Sequence, residues 1–131
     1  MAEVFTESLA NIMAELSLDV AYLPKNAEEI LVSSRDINRP GLELTGFLDF
    51  YDVNRIIILG NTENAYLAKF GSEQKYHVLE RLLEKKPPCV IVSRNIPPIP
   101  ELMKVAEKYE VPVLRSPDTT SSLSAALVSH L

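Results

Sequence analysis

One run of four residues, Ile56-Ile-Ile-Leu59, limits the fold of this chain more than any other segment. It is continuously apolar and largely β-branched, a pattern typical of a strand that is buried on both faces of a sheet. Cys89-Val-Ile-Val-Ser93 has the same character, and Val113-Leu-Arg115 predicts a third, shorter strand. A strand covered on both faces needs a packed layer on each side, so these runs predict a three-layer domain.

Helical patterns separate and follow these three strands. The predicted helices run from Thr62 to about Lys69, from Glu73 to Lys86, from Glu101 to Tyr109, and onward from Asp118 or Thr119. We expect Asn61 and Ser72 to cap the first two, because short polar side chains accept hydrogen bonds from the first N–H groups of a helix. The alternation favours parallel strands with right-handed crossovers. The predicted fold class is α/β: residues 1–131 form a single three-layer domain with a mostly parallel central sheet flanked by helices.

The N-terminal segment predicts one helix and two short strands. Thr6, followed by an acidic residue, suits a helix start, and apolar residues then recur at helical spacing up to Leu16. The two strand candidates are Val20-Ala-Tyr-Leu23 and Ile30-Leu-Val-Ser33.

A long connection then extends from Ser33 to Tyr51. Within it, Arg39-Pro-Gly-Leu42 predicts a type II turn or a tight helix entry, since proline fixes φ and glycine tolerates φ > 0. A helical turn is expected between Gly41 and Phe47. We also expect a patch of exposed aromatic side chains that could contact another domain, formed by Phe47, Phe50 and Tyr51.

Composition and charge limit the classes of function. The formal net charge is −5, and a negative chain lacks the basic face that nucleic acid and anionic membranes require, so neither partner is expected. No apolar run approaches the roughly 20 residues of a membrane span, and the N-terminus does not have the pattern of a signal peptide. A single cysteine, Cys89, allows no internal disulfide and suits a reducing compartment, so we expect a cytoplasmic protein.

The sequence lacks the motifs of nucleotide-dependent catalysis. Neither the Walker spacing, Gly-x-x-x-x-Gly-Lys-Ser/Thr, nor Gly-x-Gly-x-x-Gly occurs. Kinase chemistry is therefore not expected from this chain, and no catalytic residue is assigned. His77, His130 and Cys89 belong to three different predicted elements, so no metal site is expected. His77 suits a helix surface, and Cys89 suits a buried strand better than the position of a nucleophile.

Polar residues follow each of the three buried strands. They are Gly60-Asn61-Thr62, Ser93-Arg94-Asn95 and Arg115-Ser116. Ligands of open α/β sheets tend to lie at these carboxyl ends, and two arginines with hydroxyls and a helix start would suit an anion or a phosphate. The alternative is that these are ordinary strand–helix turns with arginines on the surface.

Several linked motifs carry a resemblance to a known family. They are Arg39-Pro-Gly-Leu-Glu-Leu-Thr-Gly-Phe47, Asp49-Phe-Tyr51, Arg55-Ile-Ile-Ile-Leu-Gly-Asn-Thr62, Pro88-Cys-Val-Ile-Val-Ser-Arg94 and Val111-Pro-Val-Leu-Arg115. In this order they resemble the N-terminal domain of bacterial HPr kinase/phosphorylase over nearly the whole chain. A more distant similarity is to the N-terminal domain of Mur ligases, whose Ser-Arg…Pro-Gly loop helps to hold a uridine nucleotide. Ser34-Arg35 and Pro40-Gly41 are similar to that loop, with one extra residue between them.

The two resemblances and the strand-end pattern together define the candidate ligand-binding residues. These are Ser34, Arg35, Arg39, Gly41, Thr45, Asn61, Thr62, Arg94 and Arg115.

The resemblance implies a regulatory or assembly role for this chain rather than a catalytic one. In the family, the full-length enzyme phosphorylates a regulatory serine of the phosphocarrier protein HPr with ATP or pyrophosphate, and removes the phosphate by phosphorolysis, in control of carbon-source use. Both activities depend on a C-terminal domain with a phosphate loop, an acidic general base and Mg²⁺. The implied partners are that catalytic domain, further copies of the protein in a hexamer, and HPr, which the catalytic domain contacts. No cofactor is implied for this domain itself.

The sequence leaves two other functions open. One is a free-standing module that senses a nucleotide or another small anion at the loop and the strand ends. The other is an enzyme in its own right, although no nucleophile–base or carboxylate pair stands out. The chain stops at Val128-Ser-His-Leu131 inside a helical pattern without a glycine cap, which favours a natural chain that continues past it.

Overall fold

The computed structural model describes residues 7–33, 37–40, 44, 48, 51 and 54–130 of the chain. Its elements follow one another as β1 (Glu7–Ser8), α1 (Leu9–Leu16), β2 (Asp19–Tyr22), a 3₁₀ turn (Ala27–Glu29), β3 (Leu31–Val32), β4 (Ile37–Asn38), β5 (Ile56–Leu59), α2 (Asn61–Leu67), α3 (Ser72–Leu83), β6 (Val90–Val92), α4 (Pro100–Tyr109), β7 (Val113–Arg115) and α5 (Thr120–His130).

The central sheet has five strands in the spatial order β2-β7-β6-β5-β4. The strands β4, β5, β6 and β7 are parallel, whereas β2 lies antiparallel to β7 at one edge. The short strands β1 and β3 pair antiparallel in a separate two-stranded sheet. The prediction of a mostly parallel sheet is confirmed. The antiparallel edge and the second sheet were not foreseen.

The buried strands divide their side chains between two cores. Ile56 and Ile58 pack with α1 and α5 in the first core, whereas Ile57 and Leu59 pack with α2, α3 and α4 in the second core. Successive side chains of a strand point to opposite faces, so one short run supplies both cores. The three-layer α/β fold is therefore confirmed. Cys89 lies in the first core, and burial raises the pKa of its thiol to about 12, in keeping with a packing role.

The first helix begins later than its sequence pattern suggested. Thr6 was expected to start it, but Glu7 and Ser8 are extended and pair with β3. Ser8 is the N-cap instead, and its Oγ accepts a hydrogen bond from the N–H of Asn11 at 3.3 Å. The expectation of a helix start at Thr6 is therefore wrong, because the next residue, Glu7, is part of a strand that pairs with β3.

Two helix caps also differ from expectation. Asn61 and Ser72 are the first residues of α2 and α3, and the caps are the preceding glycines, Gly60 and Gly71. At α2 the capping bond comes from inside the helix, because Glu63 Oε1 accepts the N–H of Gly60 at 3.1 Å. The last helix begins at Thr120, and Thr119 Oγ1 accepts the N–H of Ser122 at 3.2 Å.

The predicted connection from Ser33 to Tyr51 contains the edge strand β4, which pairs parallel with β5. Most of the expected turn and helical turn within it, and both Phe47 and Phe50, lie outside the described residues. Tyr51 is not part of an exposed patch. Its ring packs against the second core, and its hydroxyl donates to the carbonyl of Leu82 at 2.7 Å.

The apolar stripe of α3 supplies a direct test of this packing. Leu79 is fully buried in the second core. We expect Leu79→Ala to lower the free energy of unfolding by about 2–5 kcal/mol, because it leaves a cavity between α3 and the sheet. Urea titration followed by circular dichroism measures this loss. The exposed Gln74→Ala on the same helix is the control and should move the midpoint little; equal midpoints for Leu79→Ala and wild type would contradict the packing.

A polar cluster joins the outer faces of α3 and α4. Glu80 accepts hydrogen bonds from Lys108 Nζ at 2.6 Å and from the Tyr109 hydroxyl at 2.9 Å. Both bonds lower the pKa of the Glu80 carboxyl, and the bond from Lys108 has the larger effect. The bond to Glu80 raises the pKa of Lys108 and is also the largest cause of the raised pKa of Tyr109.

This cluster predicts a pH-dependent contribution to stability. Because the pKa of Glu80 is lower in the folded than in the unfolded chain, its contribution is present above the ordinary glutamate pKa and is lost as the pH falls through the lowered value. We therefore expect Glu80→Gln to be less stable than wild type at pH 7. The gap in urea midpoints should close in acid, and a gap that stays constant from neutral pH to about pH 3 would contradict the assignment.

Candidate functional site

The carboxyl ends of the four parallel strands meet at one edge of the sheet. Arg39 follows β4, Asn61 and Thr62 follow β5, Arg94 follows β6, and Arg115 ends β7. The described members of the predicted ligand-binding set therefore share this edge. The remaining predicted residues, Ser34, Arg35, Gly41 and Thr45, lie outside the described residues.

The half of this edge between β6 and β7 is bridged by hydrogen bonds. After β6 the chain continues into α4, which packs in the second core, whereas after β7 it continues into α5, which packs in the first core. Such a change of side between neighbouring strands often creates a crevice in which a ligand binds. Here the N–H of Arg94 donates to the carbonyl of Asp118 at 2.7 Å, and the N–H of Asn95 donates to that of Ser116 at 2.8 Å. Arg94 and Asn95 have φ values of 58° and 55°, a left-handed turn that brings both N–H groups to the neighbouring loop.

The two arginines of this half have different surroundings. Arg115 donates from Nη2 to the carbonyl of Asn95 at 2.6 Å and so ties the two loops together, whereas the Arg94 side chain is exposed. The Nε of Arg115 is buried and has no hydrogen-bond partner among the described residues. The anion site predicted here stays a prediction, since main-chain donors and part of one guanidinium are already bound to protein oxygens.

Helix α5 packs closely on the ends of β5 and β6. The hydroxyls of Ser93 and Thr120 are hydrogen-bonded at 2.6 Å, and both residues are buried. A Cβ atom at Gly60 would overlap Thr120 Oγ1 and would lie 3.2 Å from Ser93 Oγ. Any larger residue at position 60 therefore requires the Thr120 side chain, alone or together with α5, to move.

The half of the edge between β4 and β5 contains a buried carboxylate. The Glu63 side chain is 6% exposed, and its Oε1 lies 3.7 Å from Nε of Arg39, whose side chain is 46% exposed. A cavity of about 140 Å³ lies beside this pair, lined by Pro40, Leu44, Thr62, Glu63 and Tyr66. Arg39 and Thr62 belong to the predicted set, whereas Glu63 and Tyr66 were missed. The glycine-to-glutamate spacing of a capping box was the signal for Glu63.

Within the described ranges, no three His, Cys, Asp or Glu side chains are grouped so that they could hold a metal ion. No helix in that part of the chain has the length and apolar character needed to cross a bilayer.

Comparison with known proteins identifies the family. The sequence profile described as "HPr Serine kinase N terminus" matches residues 8–131. The chain belongs to this family. It is 44% identical over 106 residues to an HPr kinase/phosphorylase of Lactobacillus acidophilus, covering 81% of this chain and 32% of the relative. It is 36% identical over 126 residues to that of Streptococcus uberis, covering 96% and 41%. This HPr serine kinase N-terminal domain thus spans about a third to two fifths of the length of these relatives.

The fold also occurs in a solved structure of low sequence identity. The CBS and DRTGG domains from the regulatory region of Clostridium perfringens pyrophosphatase, complexed with the activator diadenosine tetraphosphate, superpose with a TM-score of 0.66 and 20% identity. The match covers 95% of this chain and 47% of that one. At this identity the likeness concerns the fold alone.

The contact of α5 with Gly60 supplies the prediction for this edge. We expect Gly60→Ala to cost roughly 1–3 kcal/mol by overpacking, and Thr120→Ala to cost about 1–3 kcal/mol by leaving the Ser93 hydroxyl without its partner. The double variant should cost less than the sum, because it lacks the Oγ1 that the new methyl group would overlap.

Urea midpoints of the four proteins complete this double-mutant cycle. Gly71→Ala is the matched control, since Gly71 also precedes a helix and no atom lies within 4 Å of a Cβ built there. Its cost should stay within about 1 kcal/mol. Strict additivity at Gly60 and Thr120 would show that the two positions are not in contact.

Proposed function

We propose that this chain is the N-terminal regulatory and assembly domain of a bifunctional HPr kinase/phosphorylase. One observation carries the proposal: in the two comparisons above, relatives with that name match 81% and 96% of this chain, yet the chain covers only 32% and 41% of their length. The chain's own sequence has no Walker or dinucleotide glycine motif. The chemistry therefore belongs to the remainder of the protein.

In the proposed full-length protein, a C-terminal domain phosphorylates a regulatory serine of HPr with ATP or pyrophosphate. It also removes the phosphate by phosphorolysis, in carbon catabolite control. ATP and Mg²⁺ are held there, and HPr docks there. No catalytic residue and no cofactor are proposed for the residues of the present chain. Its partners are its own catalytic domain and further copies of the protein in a hexamer, in the cytoplasm.

A second candidate function is a free-standing module that senses a small ligand. The ligand would be a nucleotide or another small anion, and the buried Nε of Arg115, which has no hydrogen-bond partner among the described residues, favours it. The gene beyond codon 131 separates the two functions. A Gly-x-x-x-x-Gly-Lys-Ser/Thr segment further on would support the kinase/phosphorylase, and a stop codon would support the sensor.

The regulatory role predicts how the enzyme behaves without this domain. A version that lacks residues 1–131 should keep the ability to phosphorylate HPr, because the phosphate loop and the general base lie elsewhere. It should differ from the full-length enzyme in oligomeric state or in its response to ATP and inorganic phosphate. Phosphate-affinity gels of HPr and analytical ultracentrifugation measure these properties.

Three proteins give the comparison: the full-length enzyme, the truncated enzyme and residues 1–131 alone. Residues 1–131 with ATP, Mg²⁺ and HPr should form no phosphorylated HPr, and any formation above the blank would contradict a non-catalytic domain. If truncation changes neither the assembly nor the response to ATP and phosphate, the regulatory and assembly role is wrong.

A further inference from the structure

The cavity beside Glu63 has open hydrogen-bonding capacity. Both contacts of the Glu63 carboxylate, with the N–H of Gly60 and with Arg39, use Oε1. Within the described part of the chain, no hydrogen bond is made by Oε2 or by the hydroxyls of Thr62 and Tyr66. Glu63, whose side chain is 6% exposed, therefore lines the cavity with one carboxylate oxygen that makes no hydrogen bond.

The chemistry of the lining selects the charge of an occupant. A buried carboxylate disfavours an anion and favours a hydrogen-bond donor, most strongly a positively charged one. The Thr62 hydroxyl adds a second acceptor, and the aromatic ring of Tyr66 attracts cations. Pro40 and Leu44 supply apolar wall for a short carbon chain.

The size of the cavity limits the occupant further. At about 140 Å³ it is smaller than the roughly 300–1,000 Å³ pockets that hold drug-sized ligands. A whole nucleotide therefore does not fit. With one carboxylate oxygen open rather than two, a single donor group suits the site better than a planar guanidinium that binds both oxygens.

We propose that this cavity binds a primary ammonium group on a short aliphatic chain, with Glu63 Oε2 and the Thr62 hydroxyl as acceptors and the Tyr66 ring as a cation–π surface. Arg39 lies on the other carboxylate oxygen, so its positive charge opposes that of the ligand. The site uses only residues of this domain. It goes beyond the proposed regulatory and assembly role and does not depend on a catalytic domain being present.

The probe is propylammonium chloride, titrated into the 131-residue chain and followed by ¹H–¹⁵N NMR. We expect saturable shifts at the amides of Leu44, Thr62, Glu63 and Tyr66. The Kd should be on the order of 1 mM, because a ligand of four heavy atoms has a low ceiling on affinity. Phosphate, which the arginines of this edge would favour, should leave these four amides unshifted.

Variants separate the proposal from a general effect of salt. Glu63→Gln should abolish the shifts at Thr62 and Tyr66, while its amide oxygen still accepts the Gly60 N–H. Thr62→Val, at an exposed position with less risk to folding, should weaken binding severalfold. Ala65→Ser adds a hydroxyl to an exposed position of α2 outside the cavity and is the matched control, with an unchanged Kd.

Arg39→Met decides between a cation site and an anion site. Removal of a like charge should tighten propylammonium binding severalfold, whereas an anion site would lose affinity for phosphate in the same variant.

The side chain of a partner protein's lysine is a second source of the primary ammonium group. N-acetyl-lysine amide tests this second source. A higher affinity than that of propylammonium would assign the site to a protein lysine, and an equal or lower affinity would assign it to a free amine.

Two results would overturn the proposal. One is the absence of saturable shifts at these amides with propylammonium and with N-acetyl-lysine amide. The other is phosphate binding at the same residues that Arg39→Met weakens. Because no HPr or catalytic domain takes part, failure here leaves the proposed regulatory and assembly role untouched, and failure of that role leaves this site untouched.

Discussion

Burial of the central strands on both faces is the constraint on which the rest of this structure depends. All four residues of β5 are at most 2% exposed, and they alternate between the two cores. Full burial of such side chains stabilises a fold by roughly 1.5–3 kcal/mol each, so one short strand anchors helical layers on both sides. Without this strand, neither of the two helical layers would have a surface on which to pack; one layer consists of α1 and α5, the other of α2, α3 and α4. The parallel order then places all four carboxyl ends at one edge of the sheet.

The edge built in this way has two unlike halves. Between β6 and β7, the loops donate to each other's carbonyls, and α5 packs on the ends of β5 and β6, where Thr120 Oγ1 occupies the space that a Cβ at position 60 would need. Between β4 and β5, Pro40 and Leu44 approach α2 and leave a cavity next to a buried carboxylate. The difference follows from where the covering segments lie. Helix α5 covers the end of β6 through the hydrogen bond between the Thr120 and Ser93 hydroxyls. The cavity is instead lined by Pro40 and Leu44 on one side and by residues of α2 on the other.

The fold could be predicted from the sequence because its signals are local. The β-branched runs and the intervening apolar stripes are enough to predict parallel strands in three layers. The predicted strand Ile30–Ser33 contains β3, whereas the short strands β1 and β4 were not predicted, since two-residue strands are defined by distant partners rather than by their own pattern. The site shows the same limit. Arg94 and Arg115 suggested an anion, but Arg115 binds a carbonyl 20 residues away, and no local pattern predicts that contact.

Charge pairing within the edge already engages some of the arginines in the predicted ligand-binding set. Arg115 donates to a main-chain oxygen and Arg39 lies beside Glu63, so two arginines of the predicted ligand-binding set already contact protein acceptors. Open hydrogen-bonding capacity remains on the donor side at the buried Nε of Arg115 and on the acceptor side at Glu63. The same carboxylate caps Gly60, and Gly60 is the residue on which Thr120 of α5 packs. The cavity and the last helix are therefore joined through two direct contacts. These contacts show that the cavity and α5 are connected in space. Ligand binding at the cavity would be coupled to α5 only if α5 had two positions and the ligand bound more tightly with one of them.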